Sequence, residues 1–379
     1  MVAANAPQEM LRALGIPFVV NQWWASIVAA KQQSKRYFSL LREHAYPADV
    51  ESYSAQGLAA VFDHDDTQAP WCGLPTPDFI QAVISTDATA RIYDHWSRET
   101  DADLFLFERT VDPRIDICED WWDRLPTHWD QELEPCRIDL LTDELRQAIT
   151  VLEQRTGQVF DQEKFIEIMQ LVNEQENYYR LTRDLIAKTH PVPVSIADTM
   201  PATMVPQWHR GTRWARDAAK RFYEEIKAKT QAGDSVCSHE HLRLMWIGRG
   251  LWSDMSFYQR WQESHGAVFI WSMYLSLAAD GYIREFDEGS DPMRALAARF
   301  VTMGDELRMP TWAGAWHVKE VKTHGIQGAV ALSDADPFVL RALEREGIPV
   351  LALDLDNYSQ PDKNQTEYDQ QISEFLDSL

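Results

Sequence analysis

LRLMWIGRGLWSD, residues 242–254, is the stretch on which the fold turns. Six residues, five of them apolar, run without a break into glycines at 248 and 250, and a helical pattern follows from about residue 254. A short apolar run closed by turn residues is the mark of a strand buried on both faces, as in a parallel sheet covered by helices. Working downstream, AVFIW (267–271), GAVAL (328–332) and IPVLAL (348–353) repeat the pattern, with the helix-like PFVLRALEREG between the last two. Strands alternating with helices predict an α/β unit with a doubly wound parallel sheet.

Upstream of 242 the period changes. DELRQAITVLEQRTG ends at Gly157, and DQEKFIEIMQLVNEQENYYRLTRDLIAKTH runs from Asp161 to Pro191 and Pro193, with Thr142 and Asp161 as the expected N-caps. A polar, proline-containing connection (191–206) leads to a further helix over 213–229, closed by Gly233. The first third returns to short apolar runs, IPFVV (16–20), DFIQAVI (78–84) and LFLFE (104–108), separated by helical patterns. The expected organisation is an N-terminal α/β domain (1–140), a helical segment (141–235) and a C-terminal α/β domain (236–379).

The 379 residues carry a net charge of −23 and a sequence pI near 4.8, so the surface repels phosphate backbones and anionic lipid, and neither nucleic acid nor membrane is an expected partner. Apolar stretches stop well short of the ~20 residues of a membrane span. The first seven residues lack a basic and then apolar signal pattern, which points to the cytoplasm. Cys72, Cys118, Cys136 and Cys237 form no CxxC pair, so neither a disulfide framework nor a zinc ribbon is expected.

Three features could carry chemistry. The turn at Gly248 and Gly250 could present backbone amides to an anion or a thioester, although it lacks the third glycine of a dinucleotide site and the Lys-Ser/Thr of a P-loop; the other reading is a tight strand-to-helix turn. Cys237, His239 and His241 have C-x-H-x-H spacing that would suit zinc on a strand, against an exposed polar loop as the alternative. Fifteen tryptophans are many for this length. Core or interface packing is their ordinary use, and the sharper expectation is that Trp23, Trp24 and Trp252 line an apolar substrate pocket. Trp121, Trp122 and Trp129 are either interface anchors or internal packing.

Read in order, several segments resemble one family. QEMLRALGIPFVV, YPADVESYSAQGLA (46–59), LPTPDFIQAVISTDATARIYDHW (74–96), ELRQAITVLEQRTG, LMWIGRGLWSD and SDADPFVLRALEREGIPVLALDLDNY are similar, in order and spacing, to subunits of the 2-hydroxyacyl-CoA dehydratases and ATP-dependent benzoyl-CoA reductases. The resemblance implies two flavodoxin-like α/β domains with helical additions in an oxygen-sensitive heteromer of anaerobic metabolism. It further implies three cysteines holding a [4Fe–4S] cluster in the cleft, a separate ATP-hydrolysing activator that injects an electron, and radical chemistry through a thioester ketyl.

At the three cysteine positions of that pattern stand Glu51, Asp87 and Ala335. Carboxylates and a methyl group do not replace thiolates around iron and sulfide. The expectation is therefore no cofactor on this chain, no metal, and a [4Fe–4S] cluster in a homologous partner subunit. Glu51, Ser52 and Asp87 would then face the cleft with Ala335, where an acyl-CoA is the expected ligand. Two alternatives are a stand-alone binder of acyl-CoA or another small ligand that has lost redox chemistry, and an active dehydratase with a rebuilt ligand set using Cys72 and Cys118.

Overall fold

A computed structural model gives the fold and describes residues 1–108, 117, 120–302, 313–355 and 365–379. Six strands lie among them: β1 Phe79–Val83, β2 Asp103–Phe107, β3 Leu242–Ile247, β4 Ala267–Ser272, β5 Gly328–Leu332 and β6 Val350–Leu353. β1 and β2 pair in one sheet, and the other four pair in the order β4-β3-β5-β6, every pair parallel. The class is α/β, as expected.

In the four-stranded sheet, β3, β4 and β5 are buried at every position, which is why their sequences read as unbroken apolar runs. The one charge in β3, Arg243, is held by the Glu240 carboxylate (2.8 Å) and the carbonyls of Ala187 (3.1 Å), His324 (2.9 Å) and Thr189, which offset the cost of burying it. From β3 the chain moves outward to β4, then crosses to the far side for β5 and β6. The loops leaving the C-terminal ends of β3 and β5 therefore diverge, which is the place where an open parallel sheet forms a crevice.

The small sheet departs from expectation at residues 16–20. Only Val20 joins it, through a bridge to Val2, and Val2 bridges on to Gln81 of β1. Val2 donates to the Val19 carbonyl (3.0 Å) and accepts from the Asn21 amide (2.9 Å), and Gln81 donates to the Met1 carbonyl (2.9 Å). Pro17 has no N–H to donate to a ladder, and residues 16–19 form no strand.

The middle of the chain is helical: Pro135–Thr156, Gln162–Lys188, Ile196–Gln207 and Arg213–Ala232. Asp161 caps the longest of these, accepting from the Lys164 amide (2.9 Å), and Gly157 and Gly233 end their helices with left-handed φ of 70° and 74°. Thr142 is not a cap; it lies buried inside a helix that begins at Pro135, and its hydroxyl donates to the Ile138 carbonyl (2.6 Å). The connection expected at 191–206 holds the helix Ile196–Gln207, started by a Ser195–Asp198 capping box. The helix expected from 254 is a 3-10 turn, Met255–Gln259, and one turn of α-helix, Gln262–His265. The long helix Gln162–Lys188 packs against Arg213–Ala232, Glu9–Ala13, Met273–Gly281, Pro292–Val301 and Ala313–His324.

Candidate functional site

The loop that leaves β3 is built for close approach. Gly248 has φ +122°, and a Cβ there would come within 3.0 Å of Leu332 on β5, so only glycine fits. The Gly250 amide donates to the Tyr274 hydroxyl (2.8 Å) and the Leu251 amide to the Tyr258 hydroxyl (2.9 Å). Burial pushes Tyr274 up to about 12, so its phenol stays neutral. These two amides serve the protein's own hydroxyls and are not offered to an anion.

Between the two glycines, Arg249 reaches across the crevice. Its guanidinium lies 3.5 Å from Glu51 and 3.7 Å from Asp334, and 5.7 Å from the centre of the Tyr53 ring. The Glu51 and Arg249 side chains keep only 12% and 14% of their exposure, whereas Asp334 keeps 61%, so the first pair is largely dry and the second is open to solvent. Glu51 precedes the helix Ser52–Ala59 with a left-handed φ of 45°, and its side chain makes no bond to the helix's own amides. The left-handed, non-glycine conformation and the pairing with Arg249 thus fall on the same residue.

The other expected residues separate into near and far. Ala335 sits in the turn after β5, beside Asp334, its amide bonded to the Leu332 carbonyl (3.0 Å); Asp336 then caps the helix Pro337–Arg345. Ser52 turns its hydroxyl back to the Ala48 carbonyl (2.7 Å). Asp87 is exposed at the first position of the helix Asp87–Thr100, where Thr86 supplies the cap. Asp87 therefore follows β1 of the small sheet, whereas Ala335 follows β5 of the large one.

Trp23 and Trp252 meet on either side of Trp208, with centroid distances of 6.2 and 6.3 Å. The row continues to Tyr274 beyond Trp252 (5.7 Å) and to Trp71, stacked on Trp23 (5.1 Å, 28° between planes). Trp24 is not part of it: fully buried, it packs edge-on against Tyr37 at 6.1 Å. Neighbouring positions on a helix point about 100° apart, so a Trp-Trp doublet cannot give both rings to one face. The doublet at 121–122 packs inside the chain, as does Trp129, whose indole N–H donates to the Glu285 carbonyl (2.7 Å); buried at 1%, 6% and 8% exposure, the three are not surface anchors.

Arg249, Asp334, Trp71, Trp208 and Tyr274 are the residues that sequence reasoning did not bring to the site. Arg249 lies between Gly248 and Gly250, inside the motif itself. Of the cysteines, Cys72 and Cys136 are exposed and Cys237 is buried against the Gln262 carbonyl (3.3 Å), while Cys118 lies outside the described residues. His239 and His241 are bonded to the carbonyls of Glu263 and His239 (both 3.2 Å), and among the described residues no group of three or more His, Cys, Asp or Glu is placed to hold a metal ion. No helix among them is long and apolar enough to cross a membrane.

Comparison with known proteins adds to this geometry. The chain is 25% identical to the (R)-phenyllactyl-CoA dehydratase alpha subunit of Clostridium sporogenes, over 98% of this chain and 86% of the relative. It is 23% identical to the (R)-2-hydroxyisocaproyl-CoA dehydratase alpha subunit of Clostridioides difficile, over 71% of this chain and 62% of that relative. The family model described as 2-hydroxyglutaryl-CoA dehydratase, D-component, matches residues 3–379, and with a match of that extent the chain belongs to this family.

Proposed function

We propose that the chain is a subunit of a heteromeric acyl-CoA dehydratase, that it carries no iron–sulfur cluster of its own, and that it shapes the acyl-CoA site beside a cluster-bearing homologous subunit in the cytoplasm. The observation that carries this reading is the Glu51–Arg249–Asp334 set. A carboxylate committed to a guanidinium, an exposed aspartate at the start of the helix Asp87–Thr100 and a methyl group at Ala335 do not fit an iron–sulfur cluster, whose soft iron takes thiolates. What the crevice keeps is the ability to bind: an apolar aromatic wall with a few fixed polar groups is the composition of a small-molecule site.

The chain's own part in such a reaction is to hold the acyl-CoA and keep water from it. The experiment is expression of the chain alone and together with homologous subunits encoded beside it, under anaerobic conditions. The expected result is a colourless chain alone, with iron and sulfide near zero, that co-purifies with a brown partner and is needed for dehydration of a 2-hydroxyacyl-CoA. About four iron and four sulfide per isolated chain would overturn the absence of a cluster. Full activity of the partner without this chain would overturn the subunit reading.

A further inference from the structure

The aromatic row has one fixed end and one end that is held against its own preference. At the fixed end, Trp252 belongs to a loop whose amides are tied to Tyr274 and Tyr258, both buried. At the other, Trp71 and Cys72 have φ of 51° and 65°, two successive side-chain-bearing residues in the left-handed region, followed by Gly73 at 98°. That conformation is costly for residues with a Cβ. It serves to lay the Trp71 ring on Trp23, yet the ring keeps 59% of its exposure, so little burial offsets the strain. The short segment Pro70–Cys72 thus places a mostly solvated ring over a half-buried one, which in turn meets Trp208 edge-on.

We propose that Trp23 is the floor and Trp208 the side wall of a stacking subsite for a planar aromatic ring of the ligand, and that Trp71 occupies the subsite until the ring displaces it. The inference deepens the acyl-CoA reading and rests on it only for the ligand's thioester. The shared chemistry is a flat π-surface laid against an indole. It has two sources in an acyl-CoA, an aryl group on the acyl chain or the adenine of the coenzyme. Displacement removes Trp71 from a strained backbone, so the release of that strain favours the ligand.

The test uses the full chain, tryptophan fluorescence and calorimetry, with 3-phenylpropionyl-CoA, hexanoyl-CoA, 3-phenylpropionyl-pantetheine and 3-phenylpropionate as probes. Quenching by both phenyl thioesters and not by hexanoyl-CoA assigns the ring to the acyl group; quenching by both CoA thioesters and not by the pantetheine compound assigns it to adenine; either supports the subsite. Trp23→Leu is expected to weaken the ring-bearing probe about tenfold, the size of one base–aromatic stack. Trp71→Ala, which removes the occupant, is expected to tighten it about threefold, and Cys72→Gly, which lets the chain hold the left-handed conformation without strain, is expected to steady the Trp71 stack and weaken the ring-bearing probe. Trp214→Phe, an exposed ring on another helix, should change nothing. Hexanoyl-CoA binding by calorimetry with no ring effect in any variant overturns the subsite and leaves the acyl-CoA reading intact. Quenching by 3-phenylpropionate, lost in Trp23→Leu, with no thioester bound, does the reverse. No quenching by any probe, or quenching that Trp23→Leu and Trp71→Ala leave unchanged, overturns the proposal.

Discussion

Gly57 has room for a hydrogen and nothing larger. A Cβ there would lie 2.3 Å from the Asn21 side-chain oxygen and 2.3 and 2.5 Å from ring carbons of Trp96, all in the core beneath Glu51's helix. Gly57→Ala is therefore expected to cost about 3 kcal/mol, read as a lowered urea midpoint at unchanged slope. The arginine between the two neighbouring glycines of the β3 loop makes a different prediction. Arg249→Met leaves Glu51 largely desolvated without its partner, so it should destabilise more than Glu51→Gln does. In the double variant the two losses should fall short of their sum by about 1 kcal/mol or more. Full additivity in that cycle would mean the ion pair does not couple the two sides of the crevice. Arg249 also shows why a site can be missed in sequence: a single charge has no period and no spacing, and its partners at 51 and 334 become neighbours only when two distant segments fold over the same sheet edge.

At the scale of elements, much more was legible. β3, β4 and β5 follow from unbroken apolar runs because both faces of that sheet are covered, and the ends of the helices Gln162–Lys188 and Arg213–Ala232 follow from their cap and glycine residues. Where local chemistry was ambiguous, reading failed. Thr142 looks like a cap because its hydroxyl can satisfy a backbone group either way; here it bonds back to Ile138, and the true start is marked by Pro135 at the first helical position. IPFVV has a strand's composition without a strand's donors, since Pro17 lacks one. The cap that was read correctly can be weighed: Asp161→Ala should lower stability by about 1 kcal/mol, whereas Thr142→Ala, which removes a hydroxyl that serves its own helix, should cost less. Thermal denaturation of the pair distinguishes a cap from a mid-helix hydroxyl.

For the molecule as a whole, the group that most governs response to pH lies where the three parts of the chain meet. Glu176 on the long helix is fully buried, and burial pushes its carboxyl up to about 8 although Gln207 donates to both oxygens (2.6 and 2.7 Å). Beside it, Glu9 holds Arg210 (2.8 Å) and Arg299 (3.3 Å), joining the first helix to the last third. A folded value above the usual 4.5 means that the native state binds the proton more tightly. The contribution is complete below about 4.5 and is lost as pH rises to about 8. His317 acts oppositely: burial lowers it to about 4, so its contribution is present above the ordinary histidine value and is lost as pH falls toward 4. Between pH 7 and 8 Glu176 makes stability fall with rising pH, while the Met1 amino group, lowered by burial to about 6, makes it rise, so the two oppose each other in the wild type and Glu176→Gln should shift the slope upward by about 1 kcal/mol across that unit. Urea titrations at pH 7, 8 and 9 read it, and a variant with the wild-type slope would show that another group titrates there.

The long helix itself has a consequence for how the molecule opens. At 27 residues it is about 40 Å long, and it touches helices from the beginning, middle and end of the chain. A backbone amide near its centre, between Leu171 and Thr182, exchanges with solvent only when those partners have let go together. These amides should be the slowest in deuterium exchange and should report the global unfolding free energy, while the two-stranded β1–β2 sheet should exchange through cheaper local openings. The helix then acts as the keystone of a single cooperative unit, so the two sheets cannot melt as independent bodies, and calorimetry should record one transition where the strand content alone would suggest two.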